Sequence, residues 1–161
     1  MDQDQYQLLI DKALKLLSIR PRSQKELYGK LFQYSFKRGI AKKTIDKVIT
    51  DLEERKLVSD KAFISWWVDQ RDTFRPKGKM LLKQELRQKG IATADIEEFF
   101  SVNKLYRSEF EKALTVAQKK LNLYKNLPKV ELKQKLEGAL ARRGFDWDTI
   151  YDVIDTMIKK E

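Results

Sequence analysis

The 161-residue sequence has no cysteine and no histidine. Without cysteine there is no disulfide, no zinc–thiolate site and no thiol nucleophile. Without histidine the commonest acid–base group and metal ligand is missing as well. A glycine-rich phosphate loop is also lacking. Gly29-Lys30 and Gly78-Lys79 suggest one, but Gln24 and Thr73 stand where the upstream glycine belongs, and no Ser or Thr follows. Glu53-Glu54 and Glu97-Glu98 are adjacent carboxylates, which point apart on a helix and lack companion ligands. The expectation is no catalytic residue, no metal and no cofactor. No apolar run approaches the ~18–20 residues of a membrane span. The opening Met1-Asp2-Gln3-Asp4-Gln5 is acidic and polar, unlike a signal or transit peptide, so a cytoplasmic location without membrane contact is expected. β signals are scarce too, with no clean two-residue alternation and no Asn-Gly or Asp-Gly turn.

What is present is a repeat. Arg38-Gly39-Ile40, Lys89-Gly90-Ile91 and Arg143-Gly144-Phe145 each set a basic residue, a glycine and a large apolar residue in a row. Six residues past each glycine stands an isoleucine (Ile45, Ile96, Ile150), and four later another apolar residue (Ile49, Phe100, Ile154). The glycines lie 51 and 54 residues apart. Such a period means one unit copied in tandem, and tandem units offer an extended surface to a large partner.

Helical periodicity fills each unit. A first helix is expected from about Asp4 to Ser18, burying Leu9, Ala13, Leu16 and Leu17 and stopped by Pro21. Ser23 to Glu26 reads as a capping box opening a second helix with Leu27, Leu31 and Phe32 on its inner face. Gly39 closes it, and Ile45, Val48, Ile49 and Leu52 mark the third. In the second unit a helix carries Ala62, Phe63, Trp66 and Trp67, a loop runs from Arg71 to Gly78, and Leu81, Leu82 and Leu86 precede the face of Ile96, Phe99 and Phe100. In the third, helices are expected from about Leu105 to Tyr124, from Pro128 to Gly144, and beyond Asp146. The fold class is therefore all-α, with three tandem three-helix repeats, residues 1–57, 58–104 and 105–161, in an elongated array. The middle helix of the first unit reads as about one turn longer than its counterparts.

Net charge is +10. It is distributed as 13 basic and 9 acidic groups in residues 1–60, 9 and 6 in 61–104, and 12 and 9 in 105–161. An excess spread over all units, rather than gathered in a tail, suits a long anionic partner, although plain solubility also accounts for it. Lys79, Lys83 and Arg87 recur every four residues, near Arg71, Arg75 and Lys77 of the expected loop. This stripe suits phosphates or acidic side chains, and its bland alternative is a solvated helix face. Lys133 and Arg142 join the candidate surface, while Arg142 and Arg143 also complement a helix dipole. Among the aromatics, Phe63 and at least one tryptophan are expected in the core, and Phe74 is the exposed contact.

These residues resemble the RecX family of bacterial recombination regulators. The first unit carries Ala13-Leu14, Leu16-Leu17, Arg20, Arg22-Ser23 and Glu26-Leu27. The second has Asp60, Ala62-Phe63, Trp67-Val68, Arg71, Gly78, Leu82, Glu85-Leu86 and Lys89-Gly90-Ile91. The third shows Ala117, Leu136, Leu140, Arg142-Arg143-Gly144-Phe145 and Ile150. Each motif alone is weak, whereas their order, spacing and threefold recurrence are specific. The resemblance implies three tandem three-helix repeats in a curved, elongated array, acting as a non-enzymatic regulator in DNA repair and the SOS response; a monomer is expected. It would lodge in the groove of the RecA–DNA filament, reduce ATPase and strand exchange, and contact single- or double-stranded DNA weakly and salt-dependently. A direct nucleic-acid-binding module of helix-turn-helix type is the alternative, weakened by the acidic stretches Ile96–Phe100 and Asp152–Asp155 in the third helices. A scaffold for some other acidic protein is a third reading.

Overall fold

The structure is a computed structural model and describes residues 2–102 and 108–159. Those residues form nine α-helices and no strand. The helices are α1 (Gln3–Ile19), α2 (Gln24–Phe36), α3 (Lys42–Glu54), α4 (Asp60–Phe74), α5 (Lys79–Gln88), α6 (Thr93–Val102), α7 (Glu109–Tyr124), α8 (Lys129–Arg142) and α9 (Trp147–Lys159). Among the described residues no helix is long and apolar enough to cross a membrane.

The repeated basic–glycine–apolar triplet has one structural cause. Gly39, Gly90 and Gly144 take φ of +65°, +84° and +86°, which glycine adopts without Cβ strain. At each, the amide of the following apolar residue reaches back to a carbonyl in the last helical turn. Ile40 donates to Ser35 O, Ile91 to Leu86 O and Phe145 to Leu140 O, at 3.1, 3.1 and 3.3 Å. This is the six-to-one bond of a Schellman cap, in which the apolar residue folds onto the helix it has just left. Ile40, Ile91 and Phe145 are all buried. The isoleucine six residues on enters the core from the first turn of the next helix, so Ile45, Ile96 and Ile150 are at most 1% exposed. A fourth cap of this kind ends α3 without glycine, where Lys56 holds φ +59° and Leu57 donates to Leu52 O at 2.9 Å.

The helices gather into two compact units, Met1–Trp67 with Leu86–Phe99, and Val68–Glu85 with Phe100–Glu161. In the first, α1, α2 and α3 enclose Leu9, Ala13, Leu27, Leu31, Val48 and Leu52. The capping box forms as expected. Ser23 Oγ accepts the Glu26 amide at 3.2 Å, and Glu26 Oε1 accepts the Ser23 amide at 3.3 Å. The Ser23 hydroxyl also donates to Lys89 O at 2.7 Å, and Lys89 Nζ pairs with Glu26 Oε2 at 3.2 Å. In the second unit α7, α8 and α9 enclose Ala113, Ala117, Leu136, Leu140, Ile150 and Val153. Asp146 caps α9, its Oδ1 accepting the Thr149 amide at 2.8 Å.

Several expectations are corrected. The middle helix of the first unit exceeds that of the second by about one turn but not that of the third. It has 13 residues against 14 in α8, and α5, with 10, is the short member. Phe32 does not join the inner face of α2, which is taken by Leu27, Leu31 and Ser35. It is 47% exposed and stacks between Tyr28 and Phe36 at centroid distances of 6.4 Å. The segment Arg71–Phe74 is helical rather than loop, because Arg71 and Asp72 are anchored by Glu85 and Lys112. Both Trp66 and Trp67 are half-buried, while Phe63 is in the core. The start of α7 expected near Leu105 lies outside the described residues. The described helix begins at Glu109, capped by Ser108.

Candidate partner-binding surface

The candidate cations fall into groups with different surroundings. Arg71 and Lys77 converge on one carboxylate oxygen, with Glu85 Oε2 at 2.7 Å from Arg71 Nη2 and 3.0 Å from Lys77 Nζ. The side chains of Lys77 and Glu85 are only 17% and 14% exposed, so Arg71 ties α4, and Lys77 the turn that follows it, to α5. Much of their charge is spent within the unit.

Lys79, Lys83 and Arg87 share one face of α5, as 3.6 residues per turn requires. Lys79 Nζ and Lys83 Nζ stand 5.8 and 5.7 Å from the centroid of the Phe100 ring, within cation–π range. The Lys79 amide donates to Glu109 Oε2 at 2.9 Å, which places a carboxylate on the positive end of α5. Arg87, exposed, belongs to the last turn, where a cation complements the dipole.

Lys133 and Arg142 are both exposed on α8. Nine residues apart, they project from opposite sides of the helix, about 180° around its axis. No single helical face carries both. Arg142 also folds back over Gly138, where an added Cβ would meet its guanidinium at 3.2 Å.

Arg75 lies instead beside Arg143, which sequence reasoning placed at a helix C-terminus and left off the candidate surface. Arg143 is the C-cap of α8, and capping residues leave the 3.6-residue period that predicts side-chain direction. Its Nη1 donates to Pro76 O at 3.1 Å, and its own carbonyl accepts the Gly78 amide at 2.7 Å. Burial, and then the charge of Arg75, hold the Arg143 guanidinium below the usual arginine range. Arg75 and Arg143 rim a cleft of about 200 Å³. Phe74 and Leu123 form exposed apolar walls, 77% and 71% accessible, and Lys119 and Lys120 extend the rim along α7. Lys119, Lys120 and Leu123 carried no sequence signal of their own, since only the fold brings α7 beside the turn at Pro76.

Glu97 and Glu98 of α6, and Asp152 and Asp155 of α9, are exposed. The third helices of the second and third triplets therefore present carboxylates where a major-groove recognition helix needs neutral or basic side chains.

Comparison with known proteins follows the same threefold division. Residues 10–52, 59–98 and 108–154 match models of the first, second and third three-helix domains of RecX. A regulatory protein RecX from Chlorobium limicola is 32% identical over 151 residues, covering 91% of this chain and 87% of that one. Its counterpart from Chlorobaculum tepidum is 30% identical over 161 residues, covering 100% and 95%. The crystal structure of RecX from Lactobacillus salivarius is similar with a TM-score of 0.80 and 26% identity, over 96% of this chain and 97% of that one. Matched domain by domain in the same order and related along nearly its whole length, the chain belongs to the RecX family.

Proposed function

We propose that this chain is a non-enzymatic regulator of the RecA recombinase, binding the RecA–DNA filament and lowering its ATPase and strand-exchange activities. The observation that carries this reading is the end-to-end match to the RecX domains, with relatives named as regulatory proteins. Charge supports it. A net +10 spread over three repeats, with exposed cations such as Arg75, Arg87 and Lys133, suits an extended anionic assembly better than a pocket-sized ligand. Mechanistically, rigid helical units seated across filament subunit boundaries resist the motion that ATP turnover requires, and they compete with incoming DNA. Electrostatic attraction speeds the encounter and makes affinity fall with salt.

The helix-turn-helix alternative is disfavoured by the exposed carboxylates of α6 and α9, which repel phosphates. Fluorescence anisotropy of the labelled chain separates the two. Binding to RecA filaments on single-stranded DNA that exceeds binding to bare DNA supports filament recognition. Tight, sequence-dependent binding to naked duplex without RecA supports the alternative and removes the proposal.

A further inference from the structure

The cleft rimmed by Arg75 and Arg143 is built of a restricted set of groups. Its walls are Phe74, Leu123, Pro76 and Val116, all apolar. Its charged rim is entirely cationic, with Arg75, Arg143, Lys119 and Lys120, and among the described residues no carboxylate forms an ion pair with any of the four. Arginine and lysine side chains are hydrogen-bond donors only, so Thr115 alone adds a side-chain acceptor to the lining. A ligand suited to this site presents acceptors to the rim and an apolar group to the walls. A nucleobase bearing an exocyclic amino group fits poorly, because its amino donor would enter a lining with almost no side-chain acceptor. A peptide with acidic side chains flanking a large apolar one fits on both counts. Its carboxylates pair bidentately with guanidinium groups, and its apolar side chain fills a space of about 200 Å³.

The site is also preorganised. Arg143 is held at both ends, by its carbonyl on the Gly78 amide and by its guanidinium on Pro76 O. That fixes one half of an arginine pair whose mutual repulsion is relieved when a carboxylate arrives. Phe74, at the end of α4, and Leu123, near the end of α7, keep large apolar surfaces in water.

We propose that the Phe74–Leu123 cleft is a docking site for an acidic–apolar peptide segment of a protein partner, with Arg75 and Arg143 taking the carboxylates and the cleft walls taking the apolar side chain. The proposal rests on the filament reading only for which protein carries the segment.

The test uses the full chain, ¹⁵N-labelled, and a short synthetic peptide with one phenylalanine between aspartates and glutamates. Expected shifts on peptide titration centre on Thr115, Lys119, Lys120 and Leu123. Two changes should each weaken binding about tenfold: Arg75→Glu, or replacing the peptide's phenylalanine by serine. Arg75 is exposed and its side chain supports nothing in the core, and an unchanged melting curve would confirm that the variant is folded. Three results overturn the proposal: no shifts at millimolar peptide, equal binding by Arg75→Glu, or equal binding of the serine peptide. Stronger shifts at the same amides with oligothymidylate assign the cleft to nucleic acid and likewise overturn it. Filament binding of Phe74→Ser/Arg75→Glu, measured alongside, keeps the two readings distinct. Wild-type filament binding that this double variant retains removes the cleft and leaves the filament reading standing. Peptide binding by a wild-type chain that ignores filaments does the reverse.

Discussion

The Gly78 amide donates to the Arg143 carbonyl at 2.7 Å, and this bond sets the turn before α5 directly on the cap of α8. The approach is close enough that only glycine fits. A Cβ on Gly78 would fall inside the Gly144 peptide and lie 2.6 Å from Phe145 N. The cap of one helix and the start of another are thus built from two glycines of different purpose, Gly144 for its positive φ and Gly78 for its lack of bulk.

Gly78→Ala is expected to destabilise the chain by about 1–3 kcal/mol, the usual range for overpacking a closed contact. Gly29 is the control. It is a helical glycine in α2 with nothing within 4 Å of its added Cβ, so Gly29→Ala should stabilise by about 0.5–1 kcal/mol. Urea unfolding of the two variants beside wild type gives both signs in one experiment.

Ser35 occupies, in α2, the cap position that Leu86 and Leu140 hold in α5 and α8. It is 1% exposed, and its hydroxyl has no hydrogen-bond partner. Removing an unsatisfied buried hydroxyl should help, so Ser35→Ala is expected to raise stability by about 1 kcal/mol. A lower melting temperature in the variant would show that the hydroxyl is satisfied.

Lys112 is a charge in the core of the second unit, with a side chain 3% exposed. Its Nζ lies 3.0 Å from Asp72 Oδ1, in a direction that gives a coulombic contact rather than an aligned hydrogen bond. Lys112→Met strands a carboxylate that is only 14% exposed and should cost about 3 kcal/mol. Asp72→Leu/Lys112→Met, which removes both charges, should recover most of that loss. Thermal denaturation of the single and double variants checks the coupling.

Glu26 governs part of the acid stability of the first unit. Burial pushes its pKa up, but hydrogen bonds from Arg20, the Ser23 amide and Lys89 outweigh burial and hold it below 4.5. A carboxyl depressed on folding stabilises above its unfolded value and loses that contribution as pH falls through the folded one. Stability is therefore expected to fall below about pH 4.5, and Glu26→Gln should flatten that fall. Asp60 acts in the opposite sense. Its pKa is raised by burial and by Asp95 against the Gln24 amide, so it stabilises below 3.8 and loses that effect as pH rises. Denaturant midpoints across the acid range, compared between wild type and Glu26→Gln, isolate the Glu26 part.

The fold was largely legible because its signals are local. The capping box at Ser23, the glycine caps at Gly39, Gly90 and Gly144, and the isoleucines six residues on are all written within one turn of where they act. The surface was less legible because it depends on which turn meets which helix. Lys79, Lys83 and Arg87 follow from helical period alone. The meeting of Arg75 with Arg143, and of both with Lys119 and Lys120, follows from packing of α7 beside the turn at Pro76. Lys133 and Arg142 show the limit from the other side, since the sequence grouped them by charge and the helix sets them apart. Lys112 reads as one more surface lysine until its partner, 40 positions earlier, is in view.

The most direct measurement of the proposed role is the rate of ATP hydrolysis by RecA on single-stranded DNA, titrated with this protein at low salt. A rate that falls to a plateau as the protein reaches micromolar concentration, with the effect weakening as salt is added, is the expected result. A rate unchanged throughout the titration would contradict it.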